Sequence, residues 1–213
     1  ELESALVQQL ISSNPSVAAN RLKAMPDKER DNVLRDADIP EENQAAFAKL
    51  VREQLLEKDQ ARTLAKKAAD LMSEEDGYSK ASAYLDRIQA TPTERAKSAG
   101  DAIESKFQKI SHQRKITRED FDAMRKWVGV QTPGGVGATT GKALGDALRG
   151  PHKMEFSEAA DLARHYHESS RDDDVLVEFL GSKQARKNKP QALIVAEKIS
   201  DPVRRQEILE SLK

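Results

Sequence analysis

"YSKASAYLDRIQATPTERAKSA", residues 78–99, decides how the rest of the chain is read. Its first half is an alanine-rich amphipathic run that carries apolar Leu85 and Ile88 at helical spacing. Its second half opens with Thr91-Pro92-Thr93-Glu94. This is a capping box with proline at the first helical position: the hydroxyl accepts an orphan N–H and the glutamate reaches back. The stretch therefore predicts a helix, a tight turn and a second helix.

The same punctuation recurs in both directions. Asn14-Pro15 and Asp201-Pro202 place a short polar cap before a proline whose φ is already helical. Pro26, Pro40 and Pro190 open further periodic runs, and Thr117-Arg118-Glu119-Asp120 is a shorter-armed capping box. No stretch alternates with the two-residue period of a half-buried strand. The pattern predicts helices over 2–12, 15–25, 27–37, 40–73, 78–89, 92–111, 118–129, 140–148, 157–168, 173–181, 190–199 and 202–212. The segment 40–73 reads as one long helix. Its two stripes are Phe47, Leu50, Val51 and Leu55, then Ala61, Leu64, Ala65, Ala68, Leu71 and Met72. The fold class is all-α without a β-sheet.

Three segments share one plan: "NPSVAANRLKAMPDKERDNVL" from Asn14, residues 78–99, and "KPQALIVAEKISDPVRRQEIL" from Lys189. Each has an apolar pair closing its first helix (Leu22 and Met25, Leu85 and Ile88, Ala196 and Ile199). A connection with Pro26, Pro92 or Pro202 follows, then an arginine (Arg30, Arg95 or Arg205) in the first turn of the next helix. The helix dipole disfavours a cation there. The arginine is therefore expected to bond the last carbonyls of the preceding helix or an acid of the next unit. "FSEAADLARHYHESSRDDDVLVEFL", from Phe156, has the helix pair without the proline. Units this small cannot bury their own faces, so stacked antiparallel helix pairs are expected, an irregular α-solenoid-like bundle.

These segments resemble the degenerate helical repeats of uncharacterised bacterial envelope proteins, which are loosely similar to tetratricopeptide and HEAT arrays. The resemblance covers residues 14–37, 78–105 and about 157–212. It implies a surface for protein–protein interaction and names no partner. The chain opens at Glu1 rather than Met. The expectation is a chain processed by signal cleavage or truncated, with a lean to the bacterial cell envelope or periplasm.

Composition narrows the function. With 35 basic against 36 acidic residues, no global field draws the chain to nucleic acid or anionic membrane. The longest strictly apolar run, "ALIVA" at 192–196, is too short to span a bilayer. Aromatic residues make up 4% of the chain, which predicts a thin core spread along it. The absence of cysteine excludes disulfides and thiolate chemistry.

"TPGGVGATTGKALGDALRG", residues 132–150, is the stretch nearest to a chemical motif. A P-loop needs G-x-x-x-x-G-K-[ST] after a buried strand. In the register of Gly141-Lys142, Val136 stands at the first glycine and Ala143 at the hydroxyl. "MRKWVGVQ" before it reads as a helix end, so no nucleotide site is predicted. The weaker expectation is an anion on Gly137, Thr139, Thr140, Gly141 and Lys142, with a threonine capping the helix. The plain expectation is a mobile connection and a short helix docking Leu144, Ala147 and Leu148. The chain then divides into a helical repeat region at 1–130, a glycine-rich connection at 131–156 and a second repeat region at 157–213.

Other candidates are weaker. His165 and His167 lie two apart on one helix and point away from each other, so they share no metal. "RDDD", Arg171 to Asp174, reads as a helix cap with an acidic first turn rather than a calcium loop. Trp127, with Phe121 and Met124 at helical spacing, reads as core. Lys106 to Arg118 and the cluster Lys183, Arg186, Lys187 and Lys189 are the two basic stretches, and solvated helix ends explain both. The sequence thus predicts a non-catalytic helical-repeat protein that scaffolds or binds another protein, with no cofactor and no metal. Its alternatives are a phosphorylated ligand or anion at the glycine-rich loop, as part of a larger enzyme, and nucleic-acid binding by the basic stretches.

Overall fold

The helix starts lie where the caps put them. Asn14 accepts the Val17 N–H at 3.3 Å, and Asp201 accepts those of Val203 and Arg204 at 2.8 and 3.2 Å. Glu94 accepts the Thr91 N–H at 2.7 Å while Thr91 Oγ1 accepts that of Glu94 at 3.3 Å, so the capping box closes. Asp120 Oδ2 accepts the Thr117 N–H at 2.8 Å. The computed structural model describes residues 2–37, 39–54 and 58–212. Among the described residues the fold is all α-helical, with no strand. Among the described residues no helix is long and apolar enough to cross a membrane.

Two compact units divide the chain, Glu1–Ala102 and Ile103–Lys213. The first holds α1 (Leu2–Ser13), α2 (Pro15–Ala24), α3 (Asp27–Asp36), α4 (Glu41–Gln54), α5 (Lys58–Met72), α6 (Gly77–Arg87) and the start of α7 (Pro92–Gln113). The long helix expected over 40–73 corresponds to α4 and α5. The join at 55–57, on which its continuity rests, lies outside the described residues, as do the side chains of Leu55, Ala61 and Ala65. Of the other stripe positions, Phe47, Val51, Leu64, Ala68 and Met72 are buried, while Leu50 and Leu71 are half-buried. Ala18 and Ala19 are fully buried where α2 packs on its neighbours, and a methyl group there permits close approach.

Long polar side chains close the helix ends of this unit. Arg30 donates through Nε to Leu22 O and through Nη2 to Met25 O, both at 2.8 Å, at the end of α2. Arg95 makes the corresponding bonds to Ala90 O at 3.1 Å and Leu85 O at 3.2 Å, after α6. The bond expected of these arginines is therefore present in both segments. Lys67 donates to Ala37 O at 2.9 Å and Gln44 to Ile39 O at 3.0 Å. Arg52, from α4, donates to Ile88 O at 2.8 Å and grips both oxygens of Glu94 at 3.1 and 3.0 Å. Glu94 is buried, so the capping carboxylate is also the counter-ion of a tertiary contact. Tyr84 is buried with its hydroxyl donating to Leu64 O at 2.8 Å, and burial pushes that hydroxyl above its ordinary range.

The second unit holds the end of α7, α8 (Arg118–Gln131), a 3₁₀ turn (Pro133–Gly135), α9 (Val136–Ala147), α10 (Phe156–Ser170), α11 (Asp174–Gly181), α12 (Lys183–Lys187), α13 (Lys189–Ala196) and α14 (Pro202–Ser211). Phe107, Phe121 and Tyr166 form an aromatic chain, with Phe107 and Phe121 edge to face at 5.0 Å. Phe156 stacks on Phe179 at 5.5 Å, and Trp127 lies in the core. Arg205 does not repeat the bond of Arg30 and Arg95 among the described contacts. Its neighbour Arg204 instead pairs with Asp174 at 2.5 Å.

Glu94 makes the two roles separable. Thr91→Ala removes only a cap and should cost about 1 kcal/mol. Glu94→Ala also strands the Arg52 guanidinium and should cost about 3 kcal/mol or more. Urea midpoints at unchanged slope measure both. Equal losses would show that the Arg52 pair adds no stability.

Candidate functional site

The glycine-rich stretch is the first surprise of the second unit. Instead of a connection followed by a helix from 140, the 3₁₀ turn leads directly into α9 at Val136. Gly137, Gly141 and Gly145 recur every four residues, so they share one face, and all three are buried. That face lies on α11. A Cβ at Gly141 would collide with the Val175 carbonyl and come within 2.9 Å of Phe179 N, and one at Gly145 would lie 2.7 Å from Ser182 Cβ. At Gly137 it would overlap the Asp172 carboxylate. The glycines are there because two helix backbones approach more closely than any side chain permits.

This geometry revises the anion reading. Thr139 and Thr140 lie inside α9, where Thr140 Oγ1 donates to Val136 O at 2.6 Å and accepts from Arg125 at 2.9 Å. Neither threonine caps a free helix end. Gly137 and Gly141 face α11, and Lys142 is exposed, 3.5 Å from Glu104. The negative charge packed on the first turn of α9 is the protein's own Asp172, which suits the dipole of that terminus. The five residues are close in sequence but do not converge on one vacant point.

The histidines separate as their spacing requires. His165 Nε2 meets Arg118 Nη2 at 2.8 Å, while His167 is buried with Nε2 2.8 Å from Asp173 Oδ1. Asp173 also accepts the N–H groups of Ser200 and Asp201 at 2.9 and 2.8 Å. The acidic run is thus more than a local cap. One of its carboxylates ties the approach to α14 onto α10 and α11. Burial by itself raises the Asp173 carboxyl, but the two backbone N–H groups and His167 outweigh it and hold it below the usual carboxylate range. Among the described residues no group of three or more potential ligands could hold a metal ion.

Depressions mark the described surface of both units. A cleft of about 280 Å³ in the second unit has Phe107 and Ile116 in its wall, with Glu104, Asp146 and Arg149 at its polar side. Burial pushes up the Asp146 carboxyl; Glu104 adds to that rise, while Arg149, 3.4 Å away, and Lys142 pull it down. Each acid of this cleft thus has a cation beside it. A groove of about 160 Å³ runs between α10 and α13, walled by Phe156, Ala160, Val195 and Ile194. Ile194 is 62% exposed although Ala192, Val195 and Ala196 beside it are buried. In the first unit an open depression of about 540 Å³ is edged by Val17, Arg21 and Met25, and Leu2 and Leu6 of α1 are exposed.

The two basic stretches differ. Arg114 binds both oxygens of Asp120 at 2.6 and 2.8 Å, Lys115 pairs with Glu158 at 2.5 Å, and Arg118 lies 3.7 Å from Asp122. Lys183, Arg186 and Lys187 on α12 are exposed, and none of them enters an ion pair among the described residues. Sequence reading found the basic cluster but not the outward Ile194. "ALIVA" shows no polar residue that would signal which side faces solvent. The glycine stripe was visible as the spacing 137, 141, 145. No family model, curated protein or solved structure matches the chain.

Two measurements check this geometry. Gly141→Ala should destabilise the second unit by about 1–3 kcal/mol, because backbone atoms must shift. Gly100→Ala, on the open side of α7 with nothing near its added methyl, should gain about 0.5–1 kcal/mol. For Asp173 the folded value is depressed, so its stabilisation is complete above the ordinary carboxylate range and disappears as pH falls through the lower folded value. Melting temperature against pH should therefore drop more steeply on the acid side, below about pH 4, in wild type than in Asp173→Asn. Parallel acid limbs would remove Asp173 from that role.

Proposed function

We propose that the chain is a non-catalytic protein-binding module built from degenerate helical repeats, whose helix pairs scaffold an exposed surface for a protein partner. The observation that carries this reading is the exposure of apolar side chains: Val17 and Ile194 each stand in the wall of a depression, and Leu2 and Leu6 are exposed on α1. Exposed apolar side chains that edge a concave surface are a feature of interaction sites. The matched bonds of Arg30 and Arg95 support the repeat, because two segments that agree in sequence also close their helix ends in the same way. The polar groups that sequence reading weighed for chemistry serve packing: Thr140 braces Arg125, His167 holds Asp173, and Lys142 lies beside Glu104.

Cross-linking in native extracts tests the proposal. Wild-type protein should capture a reproducible partner. Leu6→Asp or Ile194→Asp, each an exposed position whose change leaves folding intact, should abolish the capture. If wild type and both variants return the same set of proteins, the reading is overturned.

A further inference from the structure

We propose that the cleft between α7 and the end of α9 binds a primary ammonium group on a short hydrocarbon stem, either a free amine or the end of a lysine side chain. Its residues are not the exposed apolar ones that carry the protein-binding reading, so the site stands or falls without them.

The cleft measures about 280 Å³, just below the roughly 300–1,000 Å³ of small-molecule sites. One wall is a single face of α7, with lining residues at 104, 107, 108, 111 and 112. The other is Asp146, Arg149 and Gly150, at and just after the end of α9. Ile116, before α8, joins the lining. Gly150 has a φ of +88°, a left-handed backbone that favours glycine, and a Cβ there would stand 3.5 Å from Ser111 Oγ. The two walls therefore meet at that point.

Polarity in the cleft is sorted by depth. Phe107, Ser111 and Ile116 are buried and Asp146 is half-buried, whereas Glu104, Gln108, His112 and Arg149 are exposed. The inner surface is thus hydrocarbon with two hydrogen-bond acceptors. Ser111, 8% exposed, donates its hydroxyl hydrogen to Gln108 O at 2.8 Å, which leaves only oxygen lone pairs for the cleft. The Asp146 carboxylate has Arg149 at 3.4 Å as an ion-pair partner but accepts no hydrogen bond among the described residues. Burial raises this carboxyl and Glu104 adds to the rise, against the pull of Arg149 and Lys142. A cation with hydrogens to donate answers both needs.

A primary ammonium is the group that fits. It donates hydrogens and accepts none, so it suits Ser111 Oγ, Asp146 and Glu104, while a short stem covers Phe107 and Ile116. The C-terminal end of α9 adds partial negative charge on that side. An anion would face two carboxylates, and a quaternary ammonium has no hydrogen to give. Among the described residues no group of three or more potential ligands could hold a metal ion. The resident cations do not fill the role. Arg149 and Lys142 have side chains 54% and 58% exposed, and ion pairs so exposed are weak enough to yield.

The test is an amide NMR titration of the full chain with n-butylammonium in amine-free buffer. Saturable shifts at millimolar concentration should cluster at residues 104–116 and 146–150. n-Butyltrimethylammonium, without the hydrogens, and n-butanol, without the charge, should each bind at least about tenfold more weakly. Asp146→Asn should weaken n-butylammonium by at least about tenfold, and Glu104→Gln, at the exposed rim, by about threefold. A melting temperature equal to wild type shows that each variant is folded, and the wild-type shift map locates the site without them. A second arm titrates Nα-acetyl-lysine methylamide: tighter binding than n-butylammonium assigns the group to a lysine side chain, weaker binding to a free amine, and both uphold the site. The proposal is overturned by the absence of saturable shifts, by shifts centred away from the cleft, by equal binding of either control compound, or by indifference to both substitutions. A negative titration leaves the binding-module reading standing, because cross-linking through Leu6 and Ile194 tests other residues.

Discussion

A helix leaves its last four carbonyls without an internal partner, and a chain of short helices multiplies that demand. Few loops here are long enough to fold back and satisfy it. In the first unit the carbonyls are met by long side chains from elsewhere: Arg30 on Leu22 and Met25, Arg95 on Leu85 and Ala90, Lys67 on Ala37, Arg52 on Ile88. Each such bond fixes where one helix ends and where its neighbour begins. The arginine in a first turn, unfavourable to the dipole of its own helix, is retained because the preceding helix end is close and negative.

The second unit meets the complementary demand, that of N–H groups at and before helix starts, with carboxylates. Asp173 collects the N–H groups of Ser200 and Asp201, and Asp172 lies on the first turn of α9. Both belong to the short acidic run between α10 and α11, so one turn serves two other helices. His167 completes the arrangement from α10. Close packing of α9 on α11 then follows, because the glycine face of α9 is presented to the backbone of α11. A phosphate at this terminus would have to displace a carboxylate that is already there.

With these polar groups committed to closing helix ends, the surface left for a partner is defined by what the packing does not use. The exposed Ile194 and the α12 cations belong to that remainder, as do Leu2 and Leu6 in the first unit. A fold with few aromatic residues and many alanines buries little area per helix, so some apolar side chains stay outside even in a fully formed core.

The helices themselves were legible in the sequence because caps and periodicity are local. Thr91 to Glu94, Asn14 and Asp201 bond within three residues, and no distant contact is needed to place them. The end-closing role of Arg30 and Arg95 was legible for the same reason: the carbonyls lie within ten residues. The glycines read from sequence as a mobile connection, since spacing by four has a meaning only once a helix with a close neighbour is supposed. Tertiary structure alone decided that α11 is that neighbour, that Asp173 reaches Ser200, and that Ile194 faces out. Those outcomes depend on which helices meet, and a contact across many residues leaves no mark on the pattern of any one segment.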